Sequence, residues 1–64
     1  MYRLTPREYR VAMLVARGLK NKEVARQLVI TTSTVQLDVS RIIKKLGVKN
    51  RAALIVLVRQ LENT

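Results

Sequence analysis

The sequence predicts an all-α fold, a four-helix bundle with a helix-turn-helix, and three observations lead there. Apolar residues recur at the 3.6-residue spacing of a helix in four segments, most of these segments open on a residue that caps helices, and the two glycines and the single proline fall at segment ends. The predicted helices span about 6–17, 22–28, 32–46 and 51–61, in one domain covering residues 1–64.

The first helix is announced by Thr5-Pro6-Arg7-Glu8. Thr5 can accept from the first turn, Pro6 suits the first helical position where no N–H is needed, and Glu8 can close a capping box. Leu4 can staple onto the first turn. Val11, Leu14 and Val15 form the inward stripe, Ala12, Met13 and Ala16 widen it, Tyr9 and Met13 read as packing residues, and Gly18 stops the helix. Asn21 is the expected cap of a short second helix, Lys22 to about Leu28, with Glu23 near its positive end. Val24, Ala25 and Leu28 face inward, the small Ala25 allowing a close helix crossing. In the turn Val29-Ile30-Thr31, Ile30 is expected to plug the core and Val29, being β-branched, to avoid positive φ.

The third helix begins with Thr31 or Thr32 as cap and ends at Gly47. At 100° per residue, Val35, Val39, Ile42, Ile43 and Leu46 fall within about 100° of one another and face the core. Ser33, Leu37, Ser40, Arg41 and Lys44 then point outward, with Gln36 beside the boundary and Thr34, Asp38 and Lys45 on the other flank. An outward face of small polar residues, one leucine and several cations suits the major groove of DNA. Asn50 can cap the fourth helix, in which Ala52 to Val58 are apolar all round and Leu61 continues the stripe of Leu54, Leu57 and Val58. A surface helix needs only about a third of its positions to be apolar. The surplus predicts an isologous dimer through this helix, with Ala53, Val56, Leu57 and Gln60 as contacts.

Composition sets aside most other functions. A chain of 64 residues buries only roughly 60% of the surface its unfolded form exposes, which leaves little room for a catalytic cleft. With no cysteine and no histidine, and Glu8, Glu23, Asp38 and Glu62 scattered without i,i+3 or i,i+4 pairs, no catalytic residue, metal site or cofactor is expected. Thirteen Lys and Arg against four acids give a net charge of +9. Such a surface favours polyanions, and nucleic acid leads because phosphate contacts release counterions. A membrane surface fits less well. The cations are spread along the chain, the aromatic anchors are limited to Tyr2 and Tyr9, and the longest apolar run, Ala52 to Val58, is far short of the ~20 residues that span a bilayer. The expected location is the cytoplasm.

Five strings, LTPRE, NKEVARQL, TV in the third helix, KKLGV and NRAA, occur in order over about Leu4 to Leu61. Together they resemble the LuxR/GerE-type helix-turn-helix domain, the C-terminal effector domain of many bacterial response and quorum-sensing regulators. The resemblance implies double-stranded DNA binding in transcription regulation, with the third helix in the major groove and the fourth in a homodimer contact. Where family members often carry a stretch like TVKxH, this chain has Thr34-Val35-Gln36-Leu37-Asp38. Gln36 can bond an adenine edge and Leu37 can meet a thymine methyl. Asp38, a carboxylate near phosphates, is expected to accept from cytosine or to pair with Arg41 or Lys45 on its own helix.

The candidate base readers are Ser33, Gln36, Leu37 and Ser40. The candidate phosphate contacts are Lys20, Lys22, Thr34, Arg41, Lys44, Lys45 and Lys49, the first two reinforced by free N–H groups at the start of the second helix. An alternative function is a small protein-interaction module, binding RNA polymerase or a larger regulator through Leu37 and the apolar fourth helix.

Overall fold

Thr5 and Glu8 satisfy each other's backbone at the start of the first helix: the Glu8 N–H donates to Thr5 Oγ1 at 3.1 Å and the Thr5 N–H to Glu8 Oε1 at 2.9 Å. This capping box opens α1, Pro6–Ala16, in a computed structural model that describes residues 3–63. Tyr2, weighed above as an aromatic anchor, lies outside the described residues. Then follow α2, Asn21–Leu28, α3, Thr32–Leu46, and α4, Arg51–Glu62, with no strand among the described residues. The all-α prediction holds, each boundary within one residue of its expected place.

The end of α1 comes at Ala16 because Arg17 leaves helical geometry at φ −82° and ψ 0° and Gly18 takes φ +91°. The Leu19 N–H then reaches back to the Leu14 carbonyl at 3.3 Å, supplying a partner that α1 itself no longer provides.

Two expectations about α2 are corrected. Asn21 is the first helical residue rather than the cap; Lys20 holds the extended cap position and donates its N–H to Glu23 Oε1 at 2.9 Å. The Asn21 amide oxygen is used elsewhere, accepting from Arg51 of α4. Val29 does not avoid positive φ. It closes α2 at φ 57° and ψ 48°, because the Ile30 N–H must return to the Ala25 carbonyl, at 3.0 Å, for the chain to turn into α3. The valine is 89% exposed, so its branched side chain meets solvent and not packed neighbours.

Thr31 caps α3, its Oγ1 accepting the Thr34 N–H at 3.1 Å, and Gly47 ends it at φ 70°. Asn50 caps α4 in the same manner, with Oδ1 accepting the Ala53 N–H at 2.9 Å. The core draws on all four helices: Val11, Ala12, Val15 and Ala16, then Val24 and Ala25, then Val35, Val39 and Ile42, then Leu54 and Val58. Ile30 packs against its edge, as its plug role requires. Tyr9 departs from its expected packing role and is exposed, as is Leu61, so the buried stripe of α4 stops at Val58.

Two arginines tie the helix ends together. Arg51 Nη2 donates to the Leu19 carbonyl at 3.0 Å, and Arg59 Nε to the Ala16 carbonyl at 3.1 Å, closing the C-terminal end of α1 with a cation where the helix dipole is negative. No helix among the described residues is long and apolar enough to cross a membrane.

Candidate nucleic-acid interface

Helix α3 is held from beneath by Val35, Val39 and Ile42, all buried, and its opposite side is left to solvent. Ser33, Gln36, Leu37, Ser40, Arg41 and Lys44 are exposed on that side, with Leu37 at 58%. The four candidate base readers therefore share one open surface. Of the candidate phosphate contacts, Lys20 and Lys22 are exposed at the start of α2, Arg41 and Lys44 on α3 and Lys49 in the link before α4. Thr34 is half-buried, its hydroxyl oxygen 2.8 Å from that of Thr31, so it belongs to the cap of α3. At the start of α2 the Glu23 carboxylate already accepts the Lys20 N–H, which removes one of the donors offered there to a phosphate.

Asp38 requires the largest correction. It is not a solvent-facing flank residue and it pairs with neither Arg41 nor Lys45. Its side chain is 1% exposed, and both carboxylate oxygens accept from Arg7 of α1, from Nε at 2.8 Å and Nη2 at 3.1 Å. A two-point bond between planar groups fixes orientation as well as distance. A second pair lies beside it. Lys45 Nζ donates to Glu8 Oε1 at 2.6 Å, so this candidate phosphate contact has its ammonium engaged within the fold. The Glu8 carboxyl is held below its ordinary value, first by the bond from Lys45 and next by the Thr5 N–H, which together outweigh the effect of burial.

Sequence reasoning missed Arg7, Arg51 and Arg59 as partners within the fold. With the four engaged cations removed, those without a side-chain partner among the described residues include Arg41 and Lys44 on α3, Lys49 in the link after it, and Lys20 and Lys22 at the start of α2. The two buried acids are both neutralised, and no acid is exposed on α3. The outward side of this helix is therefore uniformly cationic around a small polar and apolar centre.

The family described as bacterial regulatory proteins, luxR family, matches residues 2–58. The chain belongs to this family. It is 47% identical over 57 residues to the nitrate/nitrite response regulator protein NarL of Escherichia coli K12, covering 89% of this chain and 26% of that protein. The two-component response regulator PprB of Pseudomonas aeruginosa is 42% identical over 52 residues, 81% of this chain and 19% of its own length. The transcriptional regulatory protein LnrK of Bacillus subtilis is 50% identical over 48 residues, 75% of this chain and 22% of its own length. The chain thus matches between about a fifth and a quarter of the length of these relatives. Membership makes it a LuxR-type DNA-binding domain of the transcription-regulator class, a class of DNA binders and not of enzymes. On α4, Val56 at 56% and Gln60 are exposed while Ala53 and Leu57 are half-buried.

Proposed function

We infer that this chain binds double-stranded DNA sequence-specifically in the bacterial cytoplasm, with α3 in the major groove. One observation carries the reading: Ser33, Gln36, Leu37 and Ser40 lie exposed on a single helix face that continues into Arg41 and Lys44, while the only acid in that helix is buried against Arg7. Gln36 reads an adenine edge, Leu37 packs against a thymine methyl, and the serines take either base. The lysines, Arg41 and the N-terminal end of α2 hold the backbone on either side and set the register without reading sequence. A second copy joins through Ala53, Val56, Leu57 and Gln60 of α4, which sets two recognition helices about one turn of DNA apart. RNA polymerase is the partner in the alternative reading, met through Leu37 and the apolar side of α4.

Equilibrium titration of two variants tests the division between reading and holding. Gln36→Ala is expected to lose about 1–3 kcal/mol at one base position and to relax specificity there. Lys44→Ala is expected to weaken all duplexes alike and to flatten the salt dependence by about one phosphate. A uniform loss from Gln36→Ala would show that Gln36 is not a base reader, whereas no effect of either change would remove α3 from the groove and leave the protein-interaction reading through Leu37 and α4.

A further inference from the structure

Arg7 stands on α1, outside the helix-turn-helix, yet its guanidinium is fastened to the recognition helix. Asp38 takes the Nε and Nη2 hydrogens. A guanidinium carries five N–H donors in a rigid fork, so both hydrogens on Nη1 and one on Nη2 remain. The Arg7 side chain is 48% exposed although the carboxylate that holds it is 1% exposed. About half of the Arg7 side chain is therefore open to solvent while its carboxylate partner is not, and its three remaining N–H donors have no partner among the described residues. On the helical wheel of α3, Asp38 lies on the flank shared by Thr34 and Arg41, at the rim of the outward face. Its nearest cation along that rim, Arg41, has no partner among the described residues.

We propose that Arg7 is a DNA-backbone contact held in place by Asp38, so that the phosphate-binding surface extends from α3 onto the start of α1. This rests on the DNA-binding reading given above and adds to it a residue from outside the helix-turn-helix. Asp38 acts as a positioning residue. It reads no base; it orders an arginine that would otherwise sample many rotamers, and the arginine in turn neutralises a carboxylate that would repel the strand. The arrangement also explains how an acid is tolerated two residues from Gln36.

The test is the salt dependence of duplex binding by the full chain. Arg7→Met combined with Asp38→Asn removes both charges, leaves the net charge unchanged and avoids stranding a buried carboxylate. This double variant is expected to bind about fivefold more weakly, the upper end for an exposed ion pair, with the slope of log K against log salt shallower by about 0.9, one phosphate on B-DNA. A pair with a purely structural role would change affinity through folding and leave the slope alone. An unchanged slope in a double variant that retains its helical circular dichroism, while Lys44→Ala still flattens it, overturns the proposal and leaves the DNA-binding reading intact. Absence of any duplex binding by the unaltered chain overturns both. A second measurement needs no variant: dicarbonyl modification of arginines, read by mass spectrometry, is expected to be blocked by DNA at Arg7 and unaffected at Arg10 on the outer face of α1. Equal modification of Arg7 with and without duplex contradicts the contact.

Discussion

Two regions fix the recognition helix, and they do so by opposite means. On one side, the α2–α3 turn holds it through its own backbone: Ile30 returns to the Ala25 carbonyl, Thr31 caps the first turn, and Val29 adopts φ 57° to let the chain pass. On the other side, the α1–α3 seam holds it through side chains, Arg7 on Asp38 and Glu8 on Lys45. The turn is local, insensitive to salt and carries strain. The seam is long-range, charged and half open to water. A recognition helix anchored in both ways has its start set by the turn and its rotation about its own axis set by the seam, which is the coordinate that decides which side chains face a groove.

Breaking the seam is expected to have the larger effect. Lys45→Met leaves the Glu8 carboxylate buried without its cation; because Lys45 is more than a third exposed, the loss falls below the range for fully buried pairs, at about 2 kcal/mol in urea or thermal unfolding. The same pair gives the seam a pH dependence that the turn lacks. The Glu8 carboxyl titrates lower in the folded chain than its ordinary value of 4.5, so its contribution is complete above that pH and declines as the pH falls through the folded value. Unfolding followed between pH 7 and pH 2 should show this loss in the native chain and much less of it in Lys45→Met. Equal acid sensitivity in the two would mean that the seam is not what Glu8 supports.

The turn responds more weakly and in both directions. Thr31→Ala should destabilise by about 1 kcal/mol through the lost cap. Val29→Gly should stabilise by about 0.5 kcal/mol, since relief of roughly 1–2 kcal/mol of left-handed strain exceeds the added freedom of the unfolded glycine. A destabilising Val29→Gly would mean that the exposed valine is held by contacts and not merely tolerated.

The same contrast explains what the sequence disclosed. The caps at Thr5, Thr31 and Asn50 and the stops at Gly18 and Gly47 were legible because each acts within a few residues of itself. The outward side of α3 was legible from period alone. The seam was not, because Arg7 meets Asp38 across 31 residues and Glu8 meets Lys45 across 37, so neither pair exists until α1 has been laid against α3. Asp38 lies at the margin of the apolar arc, where helical angle does not say which neighbour covers it. Asn21 was misread for a related reason. An asparagine ahead of a helix is a good cap, but here its amide is drawn to Arg51 from a helix thirty residues away and Lys20 takes the cap position. Val29 shows a local preference overridden by the turn that Ile30 and α3 require.

Selection of bound duplexes from a randomised pool, at roughly physiological salt, decides whether α3 reads sequence. An enriched inverted repeat is expected, with half-sites about one helical turn apart, each read by one copy of α3. Recovery of no preferred sequence, with binding that disappears as salt rises, would contradict it and leave only a basic surface.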